Sequence, residues 1–135
     1  MTITREEWRT TYLFCFVCGR TSFRGEGYDE TIGPWHFEVH EIARGNHRKK
    51  ALEEPAAWLQ LCQGLNGGCH SDMDWAPIVV QLALKKMHDE EHYRRGVVNR
   101  LRRRATDAIT EDEVDAVVRA LEAGATLEEC MGKFK

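Results

Sequence analysis

Apolar and polar positions change rhythm three times along the chain. Residues 9–18, RTTYLFCFVC, are dense in aromatic and β-favouring types and stop at Gly19, which predicts a strand running into a tight turn. The following stretch, TSFRGEGYDETIGPW, mixes glycine, proline and polar residues and predicts a loop or a loose hairpin. Residues 36–42, HFEVHEI, are short and β-rich and end before Arg44-Gly45, so they predict a strand. A few helical residues around 51–54 stop at Pro55, and WLQLC, residues 58–62, predicts a second strand.

From His70 onwards the period turns helical. Trp75, Ile78, Val79, Leu82, Ala83 and Met87 fall on one broad face and predict a helix to about His88, with Pro77 placed near its first turn. Asp89 is a suitable cap for another helix bearing Tyr93, Val97 and Leu101, although Gly96 in its interior costs about 1 kcal/mol relative to alanine. Thr110 and Glu113 form a capping-box pattern ahead of Val114, Val117, Val118 and Leu121, with Gly124 where a helix should end. A last short helix is expected from Thr126. The fold class this implies is α+β, with strands in the first half, helices in the second, and no internal repeat or low-complexity segment.

Length limits the choices further. A chain of 135 residues, 42% hydrophobic, supports one modest domain with a helical extension rather than two independent cores. The formal net charge of -3 gives no global pull towards nucleic acid, but it conceals local polarity. The segment 94–104, RRGVVNRLRRR, carries six arginines and no acid, whereas 111–135 carries a charge of -4. Residues 47–50, HRKK, form a second basic run. The longest apolar stretch, PIVVQLALKK, is interrupted by Gln81 and falls well short of the ~20 residues that cross a bilayer. The start, MTITREEWR, lacks the basic-then-apolar run of a secretory signal, which places the protein in a reducing cytoplasm and its cysteines outside a disulfide framework.

The cysteines carry the sharpest chemical signal. Cys15-x2-Cys18 supplies two thiolates from one tight turn, so a tetrahedral zinc site needs only one more pair. Cys62-x6-Cys69 is wider than usual, but its insert QGLNGG contains three glycines that let a longer knuckle close on the metal. The expectation is one structural zinc on Cys15, Cys18, Cys62 and Cys69, with Cys130 a free thiol. On the strand HFEVHEI, Glu38 and His40 share a face and Glu41 points the other way. His70 directly follows Cys69, so pinning that cysteine also directs the histidine.

At these residues the chain resembles the HNH, or ββα-metal, endonuclease family in the zinc-stapled form found in bacterial and phage proteins. The matching run is Cys15-Phe-Val-Cys18, Glu38-Val-His-Glu-Ile42, Arg44-Gly45, Leu61-Cys62 and Cys69-His70, spanning residues 12 to about 73. The resemblance implies a zinc-stapled core over residues 1–75 and a helical extension over 76–135. It implies a second, divalent metal (magnesium, manganese or another) on His40 and His70 with Glu38 as supporting acid. It also implies hydrolysis of DNA phosphodiester bonds in a bacterial cell or phage-infected host. Two positions depart from the family pattern. Glu41 stands where a water-activating histidine is usual, and Ala57 where asparagine is usual. A carboxylate with an ordinary pKa near 4.3 is a weak base at neutral pH, so Glu41, or His36 or His47 nearby, would have to act as base. The alternative is an inactive zinc module that binds nucleic acid or a protein partner through its helices. Arg48, Lys49, Lys50, Arg100, Arg102, Arg103 and Arg104 are the candidate phosphate contacts, and the competing reading of the arginine run is a solvated face paired with the acids at 111–115.

Overall fold

A computed structural model describes residues 3–21, 27–42, 55–94 and 109–133. It opens on a helix, α1 (Arg5–Thr11), where the sequence pattern predicted a strand. The reason lies upstream of the aromatic run. Thr4 Oγ1 accepts from Glu7 N while Glu7 Oε1 accepts from Thr4 N, both at 3.1 Å, and this capping box starts a helix whose Trp8 is fully buried. Residues 12–21 then form the cysteine turn, closed by a single bridge between Phe14 and Thr21.

Three antiparallel strands follow in the order β1 (Tyr28–Asp29), β2 (Gly33–Glu41) and β3 (Trp58–Gly64). The loose hairpin and both later strands of the sequence reading are therefore present, with β2 beginning three residues earlier than predicted. A 3-10 turn (Pro55–Ala57) ahead of β3 and helices α2 (Cys69–Met73), α3 (Ile78–His88), α4 (Glu90–Tyr93), α5 (Glu111–Glu122) and α6 (Leu127–Lys133) complete the described elements. The single helix expected from His70 to His88 is broken between Asp74 and Pro77. Proline at 77 disfavours helical geometry at Ala76 and lacks the N–H that would continue the ladder. Trp75, predicted on the buried face, is 83% exposed at this break. The cap predicted at Thr110 is present, its Oγ1 accepting from Glu113 N at 3.2 Å, and the last helix expected from Thr126 is capped by Thr126 Oγ1, which accepts from Glu129 N at 3.1 Å. Gly124, at φ 99°, follows α5. Val97 and Leu101 lie outside the described residues.

The register of the sheet decides what faces what. Residues opposite one another in an antiparallel pair share a face. Phe37 lies opposite Cys62, Val39 opposite Gln60 and Glu41 opposite Trp58, while Glu38 lies opposite Leu61 and His40 opposite Leu59. The first set meets α1 and the cysteine turn: the Trp58 and Trp8 rings lie 5.7 Å apart, and Gln60 Nε2 donates to the Arg9 carbonyl at 2.9 Å. The second set faces α2 and α3. Arg9 and Arg5 of α1 also donate to the Phe37 and Val39 carbonyls, at 2.9 and 3.4 Å, which covers polar backbone that an open strand edge would expose. One apolar core joins both halves, running from Trp8, Phe16 and Trp58 through Val80 and Leu82 to Val114 and Val117. Cys130 is part of it at 1% exposed, so it packs as a small hydrophobe. Among the described residues no helix is long and apolar enough to cross a membrane.

Candidate metal centres on two faces of one sheet

Cys15, Cys18, Cys62 and Cys69 come together, their sulfurs all within 4.8 Å of one another. The Cys18 and Cys62 sulfurs are 3.8 Å apart. Thiolates bound to zinc at about 2.3 Å in a tetrahedron sit about 3.8 Å from each other, so the donor set fits that ion in type, number and spacing. These four cysteines can hold a metal ion such as zinc. Glycine makes both turns possible. Gly19, φ 74°, follows the first pair, and Gly67 and Gly68 take φ 119° and 154° before the last cysteine. A Cβ on Gly68 would stand 2.7 Å from the Cys62 carbonyl oxygen, so the wider second knuckle closes only because that position is bare. Hydrogen bonding among the thiols pulls them apart in acidity. Cys62 accepts from Cys15 and Cys69, which lowers its pKa, while bonds to Cys15 and then Cys62 raise Cys69, and the bond to Cys62 pushes Cys15 up to about 11. Metal uptake must therefore displace protons.

The second cluster lies on the other face of the sheet and consists of His40, His70 and Asp74, with their candidate donor atoms within 4.8 Å of one another. β2 supplies His40, and α2 supplies His70 with Asp74 one helical turn later. The His40 and His70 ring centres are 5.5 Å apart, and His40 Nδ1 stands 3.7 Å from Asp74 Oδ1. Ligand atoms around one ion at about 2.1 Å lie about 3–3.5 Å apart, so the group needs only a short rotation to close. Asp74 is exposed and has room for it.

Both imidazoles are held by an outer partner on one ring nitrogen, which leaves the other nitrogen of each without that bond. Gln81 on α3 is the partner of His40. Its amide nitrogen donates to the Ala76 carbonyl at 2.9 Å and the Met73 carbonyl at 3.4 Å, so its Oε1 is the acceptor for His40 Nε2 at 2.9 Å. His40 Nε2 therefore carries the proton, and Nδ1 is left open on the Asp74 side. His70 Nδ1 donates to Glu38 Oε2 at 2.8 Å, which frees its Nε2. Burial lowers the pKa of His40, which is 9% exposed, and keeps it neutral as a metal ligand must be. Glu38 thus stands behind His70, with its other oxygen accepting from His36 Nε2 at 2.7 Å, and both carboxylate oxygens are engaged outside the cluster.

Glu41 takes the face opposite His40, as alternation on the strand predicts, and its carboxylate pairs with Arg5 at 3.2 Å. At Ala57 the backbone carbonyl accepts from Ile42 N at 2.7 Å, fastening the end of β2. Asp74 and Gln81 were not singled out in the sequence. A His-x3-Asp spacing beside the last cysteine was a usable signal for Asp74. Gln81 had none, since it interrupts an apolar helix face and finds its partner 41 residues away. His47, Arg48, Lys49, Lys50, Arg100, Arg102, Arg103 and Arg104 lie outside the described residues. Within the described residues the acids of α5 meet α3: Lys86 Nζ lies 2.6 Å from Asp115 and 3.3 Å from Glu111.

Compared with known protein families, curated proteins and solved structures, the chain matches none.

The role of Gln81 has a direct test. Gln81→Leu keeps the volume but releases His40 Nε2, and loss of such an outer partner costs roughly 10–100-fold in metal affinity. Titration of zinc-saturated protein with manganese or cobalt should show that loss while the four-cysteine centre keeps its metal.

Proposed function

We propose that this chain is a divalent-metal-dependent endonuclease of the HNH type that hydrolyses DNA phosphodiester bonds. The observation that supports it most is the pair of outer contacts, Gln81 to His40 and Glu38 to His70, on two imidazoles gathered with Asp74. The order of parts agrees with the resemblance: strand, antiparallel strand, then a short helix stapled at Cys69. His40, His70 and Asp74 are the residues that would hold the catalytic ion. When bound, a divalent ion in this place offers Lewis-acid stabilisation of the charge that develops on the phosphate and on the leaving 3′-oxygen. Asp74 replaces Glu38 as the carboxylate ligand, and Glu38 orients His70. Proton removal from water falls to a group on the His40 face, where His36 is the candidate the sequence offered, bonded to Glu38 rather than to the cluster itself.

A second reading, a nucleic-acid-binding module without catalysis, is favoured by one observation. Glu41, the residue standing at the usual base position, is tied to Arg5 on the far side of the strand. Supercoiled plasmid incubated with the zinc-loaded protein and manganese or magnesium separates the two. The nuclease reading expects nicking that is lost in His70→Ala and in Asp74→Ala, with folding and the zinc content unchanged. Plasmid binding that weakens steeply with salt, without nicking at any pH from 6 to 9, would decide for the binding module.

A further inference from the structure

Arg20 leaves the first knuckle one residue after Gly19 and turns back over the thiolate centre. Its Nη1 donates to Cys62 Sγ at 3.5 Å and its Nη2 to Asp29 Oδ2 at 2.6 Å. The guanidinium also lies 5.2 Å from the centre of the Trp35 ring. Asp29 is itself held, because its Oδ1 accepts from Thr31 N at 2.7 Å and Ile32 N at 3.3 Å in the turn between β1 and β2. The arginine is therefore gripped by a carboxylate, a ring face and a sulfur that belong to three parts of the sheet.

We propose that Arg20 is the outer partner that secures the metal on the four cysteines, coupling its retention to the β1–β2 turn through Asp29. Four thiolates around a dication leave a net charge of -2 in a half-buried place. An N–H donated to one of those sulfurs offsets that charge, and it also lowers the nucleophilicity of Cys62 towards protons and electrophiles. Arginine suits the task because its planar fork serves the sulfur and the carboxylate at once, which the single ammonium of lysine cannot do in the same geometry. An arginine that only fastened the hairpin would need Asp29 alone. The bond to Cys62 is the added feature, and it links the turn to the metal. The inference rests on the metal reading of the four cysteines and is independent of the nuclease reading.

The test uses the full chain loaded with zinc and a chromogenic chelator that competes for the ion. Arg20→Met, which keeps the apolar stem over Trp35, should weaken zinc retention roughly 10–100-fold. It should also speed alkylation of the zinc-loaded protein by N-ethylmaleimide. Arg20→Lys, which keeps the charge, should recover part of the loss. Arg5→Met removes a comparable arginine, paired with Glu41 and stacked 5.6 Å from the Trp58 ring centre, and should leave zinc affinity within about twofold of the parent. Should Arg20→Met fail to fold, Asp29→Asn provides the comparison. It keeps an acceptor for the turn, loosens the arginine and should give a smaller loss of the same sign. Zinc affinity of the Arg20 variants equal to the parent, or an equal loss in Arg5→Met, overturns the proposal and leaves Arg20 as a hairpin fastener. A parent chain that takes up no zinc overturns the metal reading as well.

Discussion

Protein purified without added metal will carry one equivalent of zinc, and stripping that zinc in reducing buffer will unfold the cysteine turn and the sheet end it closes. Zinc on such knuckles contributes roughly 10–16 kcal/mol of apparent folding free energy in small modules. That is comparable with the ~5–15 kcal/mol total stability of a domain. The metal adds to the packing the turn already has, with Phe16 in the core and Tyr12 OH bonded to Asp89, but regular backbone pairing there is sparse. Residues 12–21 contribute one isolated bridge and a few backbone bonds, such as Phe16 N to the Gln60 carbonyl at 2.8 Å. A loss of even ~5 kcal/mol, at roughly 3–4 °C per kcal/mol, lowers Tm by ~15–20 °C. Cys15→Ala should act in the same direction. Calorimetry with and without chelator measures this, and less than half an equivalent of zinc in well-folded protein, or an unchanged Tm in Cys15→Ala, would dismiss the structural-zinc account.

Asp89→Ala will destabilise the fold by about 3–5 kcal/mol, because it removes one partner of a fully buried ion pair. Asp89 joins the end of α3 to α1 and α4. Its Oδ2 accepts from Lys85 Nζ at 2.6 Å and Trp8 Nε1 at 2.8 Å, and its Oδ1 from Tyr12 OH at 2.6 Å and His92 Nδ1 at 2.9 Å. Lys85 also donates to the Trp58 carbonyl at 2.8 Å, which brings β3 into the same network. Burial alone would raise the Asp89 pKa, but the Lys85 charge and the donated bonds outweigh it and hold the carboxyl at about 2. A depressed carboxyl pKa contributes stability that is present above the unfolded value near 3.9 and is lost as pH falls from there towards about 2. Acid unfolding of the parent should therefore steepen below pH ~4, and Asp89→Asn should flatten that part of the curve. The double change Lys85→Met with Asp89→Ala should recover only part of the loss, since the buried donors of Trp8 and His92 remain. Full recovery would mean that the network contributes nothing beyond its ion pair.

The two candidate centres share one hairpin from opposite sides. Cys62 meets the first knuckle, whereas His40 points towards α2 and α3, and Cys69, which joins Cys62 in the first centre, is followed directly by His70 of the second. This arrangement lets a structural metal direct His70 through its covalent neighbour without sharing an ion.

What the sequence by itself determined lies in signals that close within one turn or one strand. The Cys15-x2-Cys18 knuckle, the glycines before Cys69, the alternation of Glu38, His40 and Glu41, and the threonine caps at 110 and 126 all depend on neighbours no more than a few residues away. Tertiary structure decided the rest. Residues 9–11 have β-favouring composition, yet they finish a helix because a cap at Thr4 and the burial of Trp8 against Trp58 outweigh that weak preference. Asp74 joins His40 only because β2 and α2 pack together, and Gln81 becomes the partner of His40 only because α3 lies across the same face. Glu41 pairs with Arg5 because α1 covers the opposite face. Apart from the local Thr4–Glu7 cap, each of these contacts joins side chains more than thirty residues apart. Their energies come from burial and from hydrogen bonds that exist only once the sheet has fixed which face each residue shows, so no local period along the chain can announce them.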